Sequence, residues 1–359
     1  MKLRSLLVCL LIFPVTLLAA GPEKVATLDR DLWPYAIDTP AQFDKASNAE
    51  IQMQTRVIST TSLLTEADIK AFTGLKTVNV TGVKEWLTRT QTRLLENHQH
   101  ACGNGPKCAR NWRELQQLSK GNLEHDLEAR WKIWAQQSQK FHQRYLYEQV
   151  RLAALFPRIT SEIDRLSSQE VNGFELKDGD FLLTYDDGPS PHRTAPLIRA
   201  LKKYDIHAFF FVLGESLDRI KPAADAYQDQ CLASHGYQHQ SHAKWQDWQQ
   251  SLADTRVELA AYQPGPYWFR PPYGQRHQAL LTDLQHHNET VMLWNIDSQD
   301  WNKKLSEQQV ADRVITLMLL WRRGIILYHD IHSRAQNNLP MLNGLVTQSD
   351  RRWVDCRHF

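Results

Sequence analysis

Short apolar runs alternate with helix-like stretches through the second half of this 359-residue sequence, from about Asp178 onward. The apolar runs predict five strands, at 181–185, 208–213, 267–269, 290–296 and 324–328. Helical patterns lie between them, at 195–204, 248–262 and 307–321. This alternation is typical of an α/β fold with a parallel sheet, either open or closed into a barrel. We therefore predict one α/β domain over residues 169–359.

The first half of the sequence has a helical pattern instead. In residues 123–155, four aromatic residues recur at spacings that place them on one helical face: Trp131, Trp134, Phe141 and Tyr145. We interpret this stripe as helix-packing core, with stacking on sugar rings as the alternative. Residues 21–168 are predicted to form a mainly α-helical N-terminal accessory domain of unknown task.

Residues 1–20 have the layout of a secretory signal peptide, because Lys2 and Arg4 precede an apolar run and small residues follow it. The apolar run, 6–18, is shorter than the roughly 20 residues that a membrane-spanning helix needs. We expect cleavage, an exported protein in the periplasm or outside the cell, and no transmembrane segment afterwards. An uncleaved membrane anchor is the alternative.

Four cysteines follow the signal segment: Cys102, Cys108, Cys231 and Cys356. An even number in an exported chain indicates disulfides. Cys102 and Cys108 flank a turn-rich segment that favours their pairing, and the other two would then be partners. Three pairings are possible for four cysteines, and the sequence does not choose among them.

Reactive side chains cluster directly after the predicted strands, where α/β enzymes build active sites. Asp186 and Asp187 end the first strand. Adjacent residues of an extended chain point to opposite sides, so one carboxylate can hold a metal while the other faces substrate. His235 and His239 are four residues apart, which predicts two imidazoles on one side of a helical turn. His242 is a further candidate ligand or a bystander.

Asp187, His235 and His239 together form a set of two imidazoles and one carboxylate. Such a set leaves coordination positions open for water and substrate. Zinc is its usual occupant, although metals that prefer octahedral geometry also suit it. Arg270, Asp300 and His329 follow later strands, and they offer an orienting cation, a tuning carboxylate and an acid. Taken singly, each of these segments also fits an ordinary surface loop.

In this order, the segments resemble the five motifs of the polysaccharide deacetylase family, the NodB-homology group or carbohydrate esterase family four. The resemblance spans roughly residues 178–331, and residues 21 to about 165 carry none. It implies a distorted (β/α) barrel that hydrolyses N- or O-acetyl groups on sugars. It also implies one divalent metal ion, zinc or alternatively cobalt or nickel.

The resemblance implies a role for each matching residue. Asp186 resembles the catalytic base, and Arg270 resembles the arginine that holds the base in place. Asp187, His235 and His239 resemble the metal ligands.

The second half of the site is implied in the same way. His329 resembles the general acid, and Asp300 the carboxylate that tunes it. Tyr273 matches the position whose backbone N–H helps to bind the oxyanion. Trp301 and Leu327 resemble the walls of a small pocket for the acetyl methyl group.

Two residues depart from the family pattern. Tyr185 replaces the more usual Phe, which is a mild change. Gly236 stands where the family typically has Ser or Thr after the first ligand histidine, so the loop must be braced differently.

The sequence therefore predicts metal-dependent hydrolysis of N-acetyl groups on a cell-envelope or extracellular polysaccharide, with release of acetate. An O-acetyl esterase acting on a glycan and a catalytically silent carbohydrate-binding protein are the alternatives. The formal net charge of +2 gives no basis for nucleic-acid binding. The sequence also lacks a G-x-S-x-G elbow and a glycine-rich phosphate loop.

Overall fold

A computed structural model describes residues 25–103, 105, 108–120 and 129–359, with side chains from 131 in the last range. The predicted signal peptide, residues 1–20, lies outside the described residues. In the ranges that are described, no helix is both long and apolar enough to cross a membrane.

The described part of the N-terminal region contains the α-helices α1 (Pro40–Thr60), α2 (Glu66–Thr73), α3 (Val80–Ala101), α4 (Trp112–Lys120) and α5 (Ala129–Leu155). Side-chain caps fix where several of them begin. Thr65 and Asp68 form a reciprocal capping box at α2, which satisfies backbone N–H groups that have no partner within the helix. Thr39 accepts a hydrogen bond from the Gln42 N–H at the start of α1.

The second region alternates strands and helices. Its strands are β1 (Asp180–Gly188), β2 (Phe209–Val212), β3 (Cys231–Ser234), β4 (Trp268–Phe269), β5 (Thr290–Val291), β6 (Ile296–Asp297), β7 (Gly324–His329) and β8 (Arg352–Trp353). Its helices are α6 (Thr194–Lys203), α7 (Gly214–Ile220), α8 (Trp248–Ala260), α9 (Gln278–His286), α10 (Glu307–Trp321), α11 (Ser333–Asn337) and α12 (Leu339–Gln348). The seven main strands run parallel in the order β5-β4-β3-β2-β1-β7-β6, and β8 also pairs with β1.

The prediction of one strand over 290–296 is wrong. The segment forms two short strands, β5 and β6, that lie at opposite ends of the strand order. β5 pairs with β4, whereas β6 pairs with β7. Residues 292–295 join the two edges, and such a short piece of chain reaches only about 3.3–3.6 Å per residue. The sheet must therefore curl until its edges lie close together, which gives a distorted barrel of parallel strands with helices around it.

The helical region and the barrel share one continuous hydrophobic core. α1 and α3 both pack on α10, whose residues 310–321 are all buried. This helix is buried on nearly every side because the sheet covers one face and the N-terminal helices cover another. Asn97 on α3 donates hydrogen bonds to the free carbonyls of Leu320 and Trp321, at 3.0 and 3.1 Å. The C-terminal end of α10 is thus completed by the helical region.

Two disulfides join the four cysteines of the described residues. Cys102 pairs with Cys108 at the end of α3, and Cys231 on β3 pairs with Cys356 near the C-terminus. Of the three pairings open to the four cysteines, the structure has the one that the turn-rich segment favoured.

Candidate active site

Asp186 and Asp187 lie at the carboxyl end of the central strand β1, and both line one cavity. The expectation that they point to opposite sides is wrong. The pairing of β1 with β2 shifts register between Asp186 and Gly188, and Asp187 has a φ of 73°. This bulge turns the Asp187 side chain toward the side that Asp186 already faces.

Asp186 is almost fully buried, and Arg270 holds it. The Arg270 guanidinium donates to Asp186 Oδ1 at 2.7 Å and to Thr184 Oγ1 at 2.8 Å. Its other N–H groups donate to the carbonyls of Met292 and Leu293, so the link between the sheet edges also anchors the guanidinium. Burial raises the pKa of Asp186 to about 6, against the opposing charge of Arg270. Asp186 is therefore a stronger base than an exposed aspartate.

Asp187, His235 and His239 come together as a candidate metal site, with one ligand atom of each within 4.8 Å of the others. The Asp187 Oδ1 lies 3.5 Å from His235 Nε2 and 3.6 Å from His239 Nε2. Zinc–ligand bonds of about 2.0–2.2 Å at tetrahedral angles separate ligand atoms by roughly 3.3–3.6 Å. Asp187 Oδ1 is buried and accepts no hydrogen bond in the part of the chain described. These residues fit a divalent metal ion.

The protonation of the imidazoles also suits a metal. His235 Nδ1 donates to the Arg270 carbonyl at 2.7 Å, which leaves Nε2 with its lone pair toward Asp187. Burial lowers the pKa of His235 well below its ordinary value, and burial also lowers the pKa of His239. Both rings are thus neutral near pH 7, which is the form that coordinates a metal.

The helical turn expected to carry His235 and His239 is absent. Residues 235–240 form an irregular bend after β3, and Gly236 has a φ of 81°. A Cβ at Gly236 would approach His242 Cε1 to 2.4 Å, so the bend needs a glycine here. The histidines converge because the bend reverses the chain, not because of helical spacing.

His242 braces this bend and is not one of the three clustered ligands. Its Nδ1 donates to the Gln240 carbonyl at 2.8 Å, and its Nε2 accepts from Ser251 Oγ at 3.0 Å. Ser251 Oγ in turn accepts from the Tyr237 N–H at 2.8 Å. In the family pattern, a Ser or Thr hydroxyl at the position of Gly236 braces this loop. Here His242 and Ser251 brace it instead. Ser251 lies on α8, and no sequence motif marks it.

His329 and Asp300 form the other side of the cavity. His329 Nδ1 donates to Asp300 Oδ1 at 2.7 Å, and the His329 backbone N–H donates to Asp300 Oδ2 at 2.9 Å. Burial alone would lower the pKa of His329, but the Asp300 charge and hydrogen bond outweigh it and raise the pKa to about 10. Arg334 holds the Asp300 loop by donating to its carbonyl at 2.7 Å. This leaves His329 protonated at neutral pH, with Nε2 free to donate.

Tyr273, Trp301 and Leu327 line the same cavity. Tyr273 lies in a short 3-10 turn after β4, with a φ of 59°, and its ring packs edge-on to His239. Leu327 is buried on β7, whereas Trp301 is 42% exposed at the mouth. The structure thus brings all ten predicted site residues to one place, although their roles stay predictions.

Residues that the sequence did not single out complete the cavity. Helical-region side chains contribute Trp86, Thr90, Arg93, Glu148, Gln149 and Leu152 to its lining. The segment between the two regions adds Ser161 and Glu162. Glycine suits position 274 because its φ is 66° and a Cβ there would lie 3.1 Å from the Ser161 and Glu162 backbone. No short motif could reveal these residues, since their place depends on how the two regions pack.

Comparison with known proteins finds that residues 175–292 match the family described as Polysaccharide deacetylase. A peptidoglycan-N-acetylglucosamine deacetylase of Bacillus cereus is 29% identical over 174 residues, 46% of this chain and 62% of that protein. The peptidoglycan-N-acetylmuramic acid deacetylase PdaC of Bacillus subtilis is 31% identical over 162 residues, 42% of this chain and 32% of that protein. The chain thus spans less than two thirds of either relative.

Among solved structures, a family 4 carbohydrate esterase from Streptomyces lividans is 28% identical with a TM-score of 0.41. The match covers 48% of this chain and 88% of that chain. The family match contains Asp186, Asp187, His235, His239 and Arg270. The acid side of the cavity, with Asp300 and His329, lies beyond residue 292.

Proposed function

We propose that the protein, whose residues 175–292 match the polysaccharide deacetylase family, removes N-acetyl groups from a polysaccharide and releases acetate. One observation carries the proposal: Asp186 and His329 line the cavity that also holds the candidate metal ligands. Amide hydrolysis needs a base for the attacking water and an acid for the departing amine. The opposite charge states of Asp186 and His329 at neutral pH supply both.

The proposed cofactor is one divalent ion, zinc or alternatively cobalt or nickel, held by Asp187, His235 and His239. When bound, such an ion polarises a carbonyl and acidifies a water, to a pKa of about 7 for zinc. The neutral imidazoles and the unpaired Asp187 oxygen support this assignment.

The residues of the chain then divide the proton transfers between them. Asp186, fixed by Arg270, takes a proton as water attacks the acetyl carbon. The backbone N–H of Tyr273 donates to the oxygen that becomes negative. His329, kept protonated by Asp300, gives its proton to the amine nitrogen as the C–N bond breaks. Acetate and a free amino sugar leave, and the proton on Asp186 returns to solvent.

We further propose that the polymer is a cell-envelope or extracellular glycan carrying N-acetylglucosamine or a related sugar. Two disulfides support a compartment outside the reducing cytoplasm. The relatives named for peptidoglycan support the class of polymer.

The test is acetate release from N-acetylglucosamine oligomers, measured after chelation and again with zinc, cobalt or nickel restored. We expect release to stop with chelator and to return with metal. Acetylated xylan is run in parallel, and faster release from that ester would favour an O-acetyl esterase. An absence of release from both substrates at full metal occupancy would contradict the proposal.

Asp186→Asn separates catalysis from metal binding. The substitution keeps the shape of the side chain but removes the base, so turnover should fall by about 10²–10⁴-fold. Metal content by elemental analysis should match the unsubstituted protein, since Asp186 is not one of the three ligands. An active Asp186→Asn enzyme would refute the role given to this carboxylate.

A further inference from the structure

The cavity extends past the catalytic residues into the space between the helical region and the barrel. Its volume is about 300 Å³. Trp86 and Thr90 from α3, with Tyr145, Gln149 and Leu152 from α5, form one wall. The family resemblance covers the barrel and says nothing about this wall.

The lining of this extension contains several aromatic side chains. It includes Trp86, Tyr145, Phe174, Trp294 and Trp321. Binding pockets for small polar molecules commonly combine apolar walls with a few placed polar groups. A pyranose ring presents C–H groups on its faces and hydroxyl groups on its rim, so it matches such a lining.

Among the described residues, the polar groups of the lining that form no hydrogen bond to a side chain include those of Trp294, Glu162 and Gln149. Trp294 is 6% exposed, and its buried indole N–H meets no acceptor. The Glu162 carboxylate forms no ion pair or side-chain hydrogen bond with these residues, and burial raises its pKa to about 7. The Gln149 amide also lacks a partner, although it is half-buried. Polar groups left unpaired in a buried setting cost free energy that a bound ligand recovers.

The other charges of the extension are used within the protein apart from Arg93, whose guanidinium lies 3.6 Å from the centroid of the Phe174 ring and forms no ion pair or hydrogen bond to a side chain among the described residues. Arg313 donates to Glu148 at 2.7 Å and to the Asp297 carbonyl at 2.9 Å. Asp297 accepts from the Gln299 backbone and side chain, at 2.8 and 2.6 Å. Glu162, the two uncharged donors and the Arg93 guanidinium are therefore the groups left for a ligand, and the hydroxyl groups of a sugar unit suit them.

The wall is held in place before any ligand arrives. Trp321 Nε1 donates to the Tyr145 hydroxyl at 2.9 Å, which ties α10 to α5. Thr160 Oγ1 donates to the Arg276 carbonyl at 2.9 Å, and Arg276 donates to the Ser161 carbonyl at 2.9 Å. This fixes the segment that carries Glu162. A wall already in position reduces the ordering cost of binding.

We propose that this extension is a subsite for the sugar unit next to the one that loses its acetyl group, with the helical region as half of its wall. The inference rests on the proposed function and deepens it. The substrate is then a chain of at least two pyranose units. The Gln149 amide and the Glu162 carboxylate hydrogen-bond the neighbouring unit, and the aromatic side chains pack on its faces.

The experiment compares Gln149→Ala with Gln143→Ala in the full chain. Both residues lie on α5, but Gln143 is exposed and lies outside the cavity lining. Substrates are an N-acetylglucosamine tetramer and 4-nitrophenyl acetate, which has no second sugar. Losing one hydrogen bond should raise KM for the tetramer about five- to tenfold in Gln149→Ala, with kcat little changed. Ester kinetics should not change, and Gln143→Ala should match the unsubstituted protein on both substrates.

A second measurement does not depend on turnover. Each glutamine substitution is combined with Asp186→Asn, and the Kd of the tetramer is measured by calorimetry. Gln149→Ala should weaken binding about five- to tenfold, and Glu162→Gln serves as a further probe of the same wall. Unchanged Kd values for both variants would overturn the subsite. Equal losses on tetramer and ester would also overturn it, because they indicate damage to the catalytic centre. An unsubstituted protein that binds the tetramer without releasing acetate would refute only the proposed function.

Discussion

Asp186 and His329 face the same cavity but differ in pKa, because Asp186 is buried beside one arginine and His329 is paired with a carboxylate. The base must be deprotonated, so kcat/KM falls as pH drops through about 6, the pKa of Asp186. The acid must be protonated, so kcat/KM falls as pH rises through about 10, the pKa of His329. A bound metal cation lowers both values, so both limbs lie at or below these pH values.

Asp300→Asn tests the origin of the alkaline limb. Asp300 provides the charge and hydrogen bond that raise the pKa of His329, so the variant should lose the limb near pH 10 and gain one at lower pH. The acid limb, which belongs to Asp186, should stay in place. The measurement is kcat/KM against pH for both proteins. An alkaline limb that does not move would show that His329 is not the titrating acid.

Gly236 permits the bend that brings His235 and His239 together. Gly236→Ala puts a side chain at a φ of 81° and into contact with His242, so the loop must distort. We expect a loss of about 1–3 kcal/mol in the free energy of unfolding, together with weaker zinc binding. The measurements are urea unfolding and zinc titration.

The matched control is Gly344→Ala on α12, where an added Cβ meets no atom within 4 Å. That change should be neutral or slightly stabilising, because alanine favours helix. Equal behaviour of the two variants would argue against the role given to Gly236.

At the scale of elements, the Arg313–Glu148 ion pair joins α10 to α5 in the shared core. Both side chains are buried, and Glu148 also accepts from the Ala26 N–H at 2.5 Å. Arg313→Met leaves the Glu148 charge buried without its cation, which should cost about 3–5 kcal/mol of unfolding free energy.

The control is Arg352→Met, because the Arg352 side chain is 66% exposed in its pair with Asp180. Exposed pairs contribute roughly 0–1 kcal/mol, so this change should be small. Urea unfolding of both variants gives the comparison. A loss of similar size in the two would contradict a core ion pair between the regions.

Elements with a strong local pattern could be predicted from the sequence, and elements fixed by distant contacts could not. The helix predicted at 307–321 is α10 to the residue, since a capping box begins it and apolar residues fill it. β3 was not predicted, because Cys231–Ser234 lacks the β-branched residues that mark strands. The sequence shows β5 and β6 as one apolar run. They are two strands because β5 pairs with β4 and β6 pairs with β7, and the local sequence does not specify these pairings.

The same distinction holds within the site. The motifs could be found because each lies directly after a strand, and parallel strands end at one edge of the sheet. The backbone conformation around Asp187 and Gly236 could not be predicted from the sequence, because the bulge depends on contacts with β2 and the bend depends on contacts with α8. Cavity residues of the helical region, between positions 86 and 152, carry no pattern that ties them to the barrel that begins at β1.

At the scale of the whole molecule, the two disulfides constrain loops of very different length. Cys231 and Cys356 are 125 residues apart, whereas Cys102 and Cys108 are six apart. Chain-entropy arguments predict that the longer bridge contributes about 2–3 kcal/mol more to the free energy of unfolding. The double substitution Cys231→Ser with Cys356→Ser should therefore lower the urea midpoint more than Cys102→Ser with Cys108→Ser. Equal midpoints would contradict that expectation.

The packing of α1 and α3 on α10 has a consequence for the order of folding. The hydrogen-bonded residues Asn97 and Trp321 are 224 positions apart in the chain. At about 5–20 residues per second, synthesis delivers α10 on the order of tens of seconds after α3. Contacts of such long range also slow folding itself. During that interval α1 and α3 can pack on the other N-terminal helices, but the faces that pack on α10 stay uncovered until the last third of the chain arrives.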